Sequence, residues 1–217
     1  MPNLRHRLPV LAAALLAAAN AQAGTILNQT FDDVGALRAD GWLVINANPD
    51  PAYQLDWFQG NPDVFTAHGG PDGGYVASSW GASAAGAQLA NWLITPEFSV
   101  ANAGTVTFWL RGAADPGDVD TVRFGFASGG GHFALGDAIA ASGDWTEYSV
   151  SFAGAGDGAT TRFAIEQTGA ADLADYVGID DFSIQTRAAS TVPEPLDAVL
   201  LATGLLGLAA WRRRSAS

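Results

Sequence analysis

Val106, Phe108 and Leu110 fall on one side of an extended chain, and Thr107 and Trp109 on the other. Residues 122–126 repeat the pattern, with Val122, Phe124 and Phe126 set against Arg123 and Gly125. A period of two over so short a run fits a strand with one buried face and fits no helix. Comparable runs of β-branched and aromatic residues, bounded by Gly, Pro, Asp and Asn, recur along the chain. They are Ile26–Phe31, Trp42–Asn46, Tyr75–Ser79, Trp92–Ile94, Thr105–Arg111, Thr121–Ala127, Thr146–Phe152, Arg162–Gln167 and Tyr176–Gln185. No internal stretch carries a convincing helical period. Short strands at this spacing predict an all-β fold, an antiparallel β-sandwich of the jelly-roll kind.

Charge and composition narrow the function classes. The chain has 217 residues and no cysteine, which excludes disulfides, thiolate metal sites and a cysteine nucleophile. Between Gly24 and Thr191 five arginines stand against twenty acidic residues, a balance of −15. Such a surface repels nucleic acid and anionic membrane. It suits a cation bound through oxygen ligands, above all Ca²⁺, and it equally suits simple solubility outside the cell.

The two ends read differently from the middle. Residues 1–23 have the form of a signal peptide: Arg5 and Arg7, an apolar segment from Leu8 to Ala19, and Ala21-Gln22-Ala23 as a small-x-small cleavage site before Gly24. The β-domain is expected over residues 24–186 and a small, polar linker over 187–192. Residues 193–217 form a tail: Pro193, Glu194 and Pro195, an apolar run from Leu196 to Trp211, then Arg212, Arg213 and Arg214. As a helix that run would reach about 24 Å, short of the ~30 Å hydrocarbon core. The arginine cluster nonetheless favours a membrane-inserted helix with its C-terminal end on the cytoplasmic side.

These three tail features in this order resemble the PEP-CTERM sorting signal of Gram-negative bacteria. The resemblance implies export through the inner membrane, transient or stable anchoring by the tail, recognition and cleavage by an exosortase, and delivery to the cell surface or matrix. A second resemblance spans the strands. The blocks are Thr30-Phe31-Asp32-Asp33, Gly41–Asn46, Asn91–Pro96 (NWLITP), Thr107–Leu110, Trp145–Tyr148 and Gly178–Ile184 (GIDDFSI). They resemble the cleaved-adhesin or choice-of-anchor J family, relatives of the MAM-type jelly roll. That likeness implies a non-catalytic module acting in adhesion or in an extracellular polysaccharide or biofilm matrix. A glycan-acting hydrolase and a purely structural matrix protein are the competing readings.

Candidate chemistry sits at the two ends of the domain. Asp32 and Asp33 follow the first strand, and Asp180 and Asp181 lie in the last. Jelly rolls pair their first and last strands, so these carboxylates are expected to meet. They would repel one another unless protonated or bridged by Ca²⁺, and the resemblance to the jelly-roll relatives implies structural calcium there. Adjacent residues of a strand point to opposite faces, so only one of Asp180 and Asp181 is expected to be a side-chain ligand. Asn46-Ala47-Asn48-Pro49-Asp50 imitates the start of an EF-hand loop, but Pro51 stands where Gly is needed, and the segment reads as a turn.

Catalytic motifs are weak. His68 and His132 lie far apart in glycine-rich loops without the spacing of a zinc site. Gly81–Ala85 misses the nucleophile-elbow pattern. The domain glutamates Glu97, Glu147 and Glu166 read as solvated strand-face charges. Among the aromatic residues, Trp42, Trp92 and Trp109 lie in strand patterns and are expected in the core. Trp57, Phe58, Phe65 and Trp80 lie in less regular stretches, where core packing is the default reading; exposed, they would stack on sugar rings or form a protein contact patch, with Trp57, Phe58 and Trp80 the candidates for ligand contact.

Overall fold

All nine runs form strands, and the reason is visible in their pairing. The computed structural model describes residues 24–48, 55–113 and 116–187, within the compact unit Ala23–Ala188. The proposed leader, most of the linker and the Pro-Glu-Pro tail lie outside these described residues.

Two six-stranded antiparallel sheets make the sandwich. The first holds β1 (Gly24–Gln29), β3 (Phe58–Gln59), β4 (Val76–Ser79), β7 (Gly104–Gly112), β11 (Thr146–Phe152) and β14 (Tyr176–Thr186), ordered β11-β7-β14-β4-β3 with β1 also on β14. The second holds β2 (Leu43–Asn46), β5 (Gln88–Ile94), β8 (Thr121–Gly129), β9 (His132–Leu135), β10 (Ile139–Ala140) and β13 (Phe163–Ala170), ordered β10-β8-β13-β5-β2 with β9 also on β8. A short pair, β6 (Phe98–Ser99) and β12 (Thr160–Thr161), stands apart. Sequence reading missed β3, β6, β9, β10 and β12. These strands span only two to four residues, too few for a period to show. The expected pairing of first and last strands is present, with Gln29 opposite Phe182.

The alternation of β7 becomes the core. Val106, Phe108 and Leu110 are fully buried between the sheets, whereas Thr107 and Trp109 lie half-buried on the outer face. Phe108 meets Phe124 at 5.1 Å, edge to face, and also contacts Tyr148, Phe163 and Phe182. Burying each such ring is worth about 1.5–3 kcal/mol, and favourable ring geometry adds to that. Trp42 packs edge-on to Phe31 and Phe182, as expected for a core tryptophan. A buried polar bridge also joins the sheets: the Ser78 hydroxyl donates to Gln167 Oε1 and accepts from Asn91 Nδ2.

The outer faces differ. Residues 60–74 fold over the first sheet, stacking Phe65 on Tyr75 at 5.0 Å and His68 on Trp109 at 3.7 Å. The strand beneath is cut to fit: a Cβ on Gly178 would lie 2.8 Å from both Phe65 and Tyr75. No corresponding loop is described over the second sheet, and Leu43 and Ile45 remain 42% exposed on it.

Candidate functional site

The open face of the second sheet is built by register. Ile45 of β2 pairs with Trp92 of β5, which pairs with Glu166 of β13, which pairs with Arg123 of β8. Side chains at paired positions share a face, so these four form one row across the sheet. Trp92 is therefore half-buried on the outer face and not in the core. It reaches Phe133 of β9 at 5.8 Å, with the rings inclined by 44°. The two rings and the exposed Leu43 and Ile45 shape a shallow groove with two joined hollows of about 500 and 300 Å³, which share Ile45, Ile94, Gly131 and Phe133.

Polar groups border this apolar floor. Glu97 accepts a hydrogen bond from the Thr160 hydroxyl. Arg162 donates through Nη1 to Thr95 O at 2.7 Å, and His132 lines the same hollow. Glu166 is not the solvated charge its strand suggested. It is 2% exposed and hydrogen-bonded to Arg123 Nε. Close passage of β9 over β8 is possible only because residue 125 is Gly, since a Cβ there would lie 2.0 Å from Ala134 O. The groove was legible in sequence only as an excess of apolar residues on both faces of β2 and β5.

The acidic clusters sit on the other sheet. Asp180 is fully buried under residues 66–74, where its Oδ2 accepts from the backbone N–H of His68 at 2.9 Å and of Gly69 at 3.1 Å. Its Oδ1 accepts from Asp181 N at 2.7 Å. Burial nevertheless prevails over these three donors and pushes the Asp180 carboxyl up from 3.8 to about 6. Asp181 Oδ2 lies 2.7 Å from His68 Nδ1. Both carboxylates thus address one loop, contrary to the expected opposite facing. A β-bulge between Asp180 and Ser183, with Asp181 at φ 44°, adds one residue to β14 and resets the alternation.

Phe31, at φ 55°, makes the matching turn after β1. It sends its ring into the core and leaves Asp32 against the same loop, where Oδ1 would lie 2.9 and 2.7 Å from a Cβ on Gly70 and Gly74. Asp33 is exposed, and its carboxylate lies beside Gly35 in its own turn. Among the described residues no group of three or more His, Cys, Asp or Glu side chains is close enough to form a metal cluster. Asn46 and Asn48, from the EF-hand-like segment, spend their amides on Ala82 O.

Of the aromatic residues in less regular stretches, Trp57 and Phe65 are 4% and 6% exposed and belong to buried clusters, which removes them as contact residues. Phe58 is half-buried against Tyr176 at 5.8 Å. Trp80 is exposed beside Asp118, Asp172 and Asp175. The sorting-motif residues lie outside the described residues. No helix among those described is long and apolar enough to cross a membrane.

The class that these features define is an antiparallel jelly-roll sandwich with one covered and one open face. Particular solved structures share that fold. The K3 cleaved adhesin domain of Lys-gingipain from Porphyromonas gingivalis W83 superposes with a TM-score of 0.55 at 19% identity, over 75% of this chain and 100% of that one. The K1 domain of the same protein gives 0.55 at 22% identity, over 76% and 99%. The K2 domain of Lys-gingipain gives 0.51 at 23%, over 76% and 99%. The likeness is one of fold. No protein-family model and no curated protein matches the chain.

Proposed function

We propose that this chain is an exported, non-catalytic β-sandwich that recognises carbohydrate at the cell surface or in an extracellular matrix. The observation that carries the reading is the open groove, where the half-buried Trp92 and Phe133 line one hollow and the polar Glu97, Arg162 and His132 border the hollow joined to it. Concave, largely apolar sites with a few placed polar groups are the usual form of ligand pockets. Hydrolysis of a glycoside calls for two carboxyl groups on either side of the scissile bond. Here Glu166 is held in its ion pair, leaving Glu97 as the carboxylate at the groove's edge. In affinity electrophoresis the chain is expected to be retarded by a polysaccharide without releasing reducing ends from it. Release of reducing ends that disappears in Glu97→Gln would make the protein a hydrolase and overturn the proposal.

Sorting belongs to the same reading. Residues 1–23 direct export, and Pro193, Glu194, Pro195 and Arg212–Arg214 address the tail to an exosortase-type enzyme, supported by the order of motif, apolar run and basic end.

Structural calcium is the remaining element. The residues fit it in part: the Asp32 and Asp181 carboxylates flank one glycine-rich turn, and two left-handed, non-glycine residues hold them there. Such backbone conformations are costly and persist where the surroundings impose them. Asp32 and Asp181, with carbonyls of the turn, would hold Ca²⁺, whereas the Asp180 oxygens already accept from three backbone N–H groups. If so, Ca²⁺ at about 100 times its Kd raises native stability by ~2.7 kcal/mol, several degrees in thermal unfolding, and EDTA reverses the rise. An unchanged midpoint removes the metal from this account.

A further inference from the structure

We infer that the groove on the second sheet takes an interior stretch of a neutral polysaccharide chain. The inference rests on the carbohydrate-binding reading and specifies its ligand. Three observations carry it.

The first is shape. The two hollows join through Ile45, Ile94, Gly131 and Phe133, and both are open to solvent. A chain end is recognised by a pocket with a closing wall, whereas an open trough admits a chain that continues in both directions.

The second is charge. Arg123 is spent on Glu166, and Arg162 shares its hollow with Glu97. The groove is thus close to balanced inside a domain carrying −15 between Gly24 and Thr191. The surrounding field repels a polyanion; it attracts a polycation, but to the domain as a whole and not to the groove, where one carboxylate stands against one guanidinium. Neutral sugars are the class that this combination leaves.

The third is hydrogen-bond character. Glu97 is an acceptor, and Arg162 has one of its donors committed to Thr95 O. A carboxylate-bearing sugar calls for a guanidinium with no carboxylate beside it, and Glu97 lines the same hollow as Arg162. Hydroxyls, which donate and accept, suit the mixed set that is present.

The test uses the full chain against three neutral polymers (galactan, xylan and a mixed-linkage β-glucan), two anionic ones (alginate and polygalacturonate), and the disaccharides of the neutral set. Binding of a neutral polymer is expected, insensitive to NaCl and tighter than that of its disaccharide. Trp92→Ala and Phe133→Ala are each expected to weaken it about tenfold, the loss of roughly one ring contact. Trp92→Phe should retain most of the affinity. Thermal unfolding of each variant separates lost binding from lost fold, and Phe133→Ala serves if Trp92→Ala does not fold. Salt-sensitive binding of an anionic polymer overturns the inference while leaving the carbohydrate reading intact. Neutral-polymer binding that both ring deletions leave unchanged also overturns it, by excluding the groove. Binding of no polysaccharide overturns both.

Discussion

Phe108→Ala is expected to destabilise the domain by about 3–5 kcal/mol, the usual cost of removing a large ring from a packed core. The ring is fully buried and contacts rings from both sheets: Tyr148 and Phe182 on its own side, Phe124 and Phe163 across the sandwich. Those neighbours sit on paired strands and cannot close in without moving the backbone, so the cavity remains. Domains of this size are typically stable by only about 5–15 kcal/mol, and the variant should unfold at a much lower urea concentration with an unchanged slope. A loss below about 1 kcal/mol would mean that Phe108 does not join the two layers.

The second large effect depends on pH. Asp180 has its carboxyl raised from 3.8 to about 6 by burial. A raised carboxyl favours the folded state in its protonated form. Its contribution is therefore fully present below about pH 3.8 and is lost as pH rises through about 6. At roughly 1.4 kcal/mol per pH unit the swing is ~3 kcal/mol. In EDTA, the stability of the wild type minus that of Asp180→Asn should fall by about that amount between pH 4 and pH 7. A difference that is flat, or that grows with pH, would show that the three N–H donors outweigh burial. Added Ca²⁺ provides an independent check. A bound cation favours the ionised form, so the calcium site predicts that the trend flattens or reverses when the ion is present.

Much of the fold was legible because alternation is a local property. The nine runs became strands because each places one set of side chains against the other sheet. The short strands were not legible. His132–Leu135 becomes a strand because Gly125 lets it lie against β8, which residues 132–135 do not encode by themselves.

The site was less legible for two reasons. Alternation defines two faces without saying which is inner. In β5 one face carries Leu89, Asn91 and Leu93 and the other carries Gln88, Ala90, Trp92 and Ile94. Apolar residues stand on both, so hydrophobicity alone does not choose between them; the first face is buried, and on the second only Ile94 is. Asn91 is accommodated inside because Ser78 of the opposite sheet accepts from its amide, a partner supplied only by tertiary packing. Trp57 shows the reverse case, an irregular stretch whose aromatic ring ends in the core.

The acidic residues divide in the same way. Sequence placed Asp32 just after the first strand and Asp180 within the last, and the strands pair. The bulge at Asp181 then turned two residues expected on opposite faces toward a single loop.

The sequence by itself determined the all-β class, the positions of nine of the strands, the acidic balance and the absence of cysteine chemistry, because these follow from residue identity and from local runs of strand-forming residues. Tertiary structure decided which face is open, where Trp92 and Phe133 meet, and that Asp180 is buried. Those outcomes depend on register, on a bulge and on a loop that covers one sheet, all set by contacts between residues far apart in the chain.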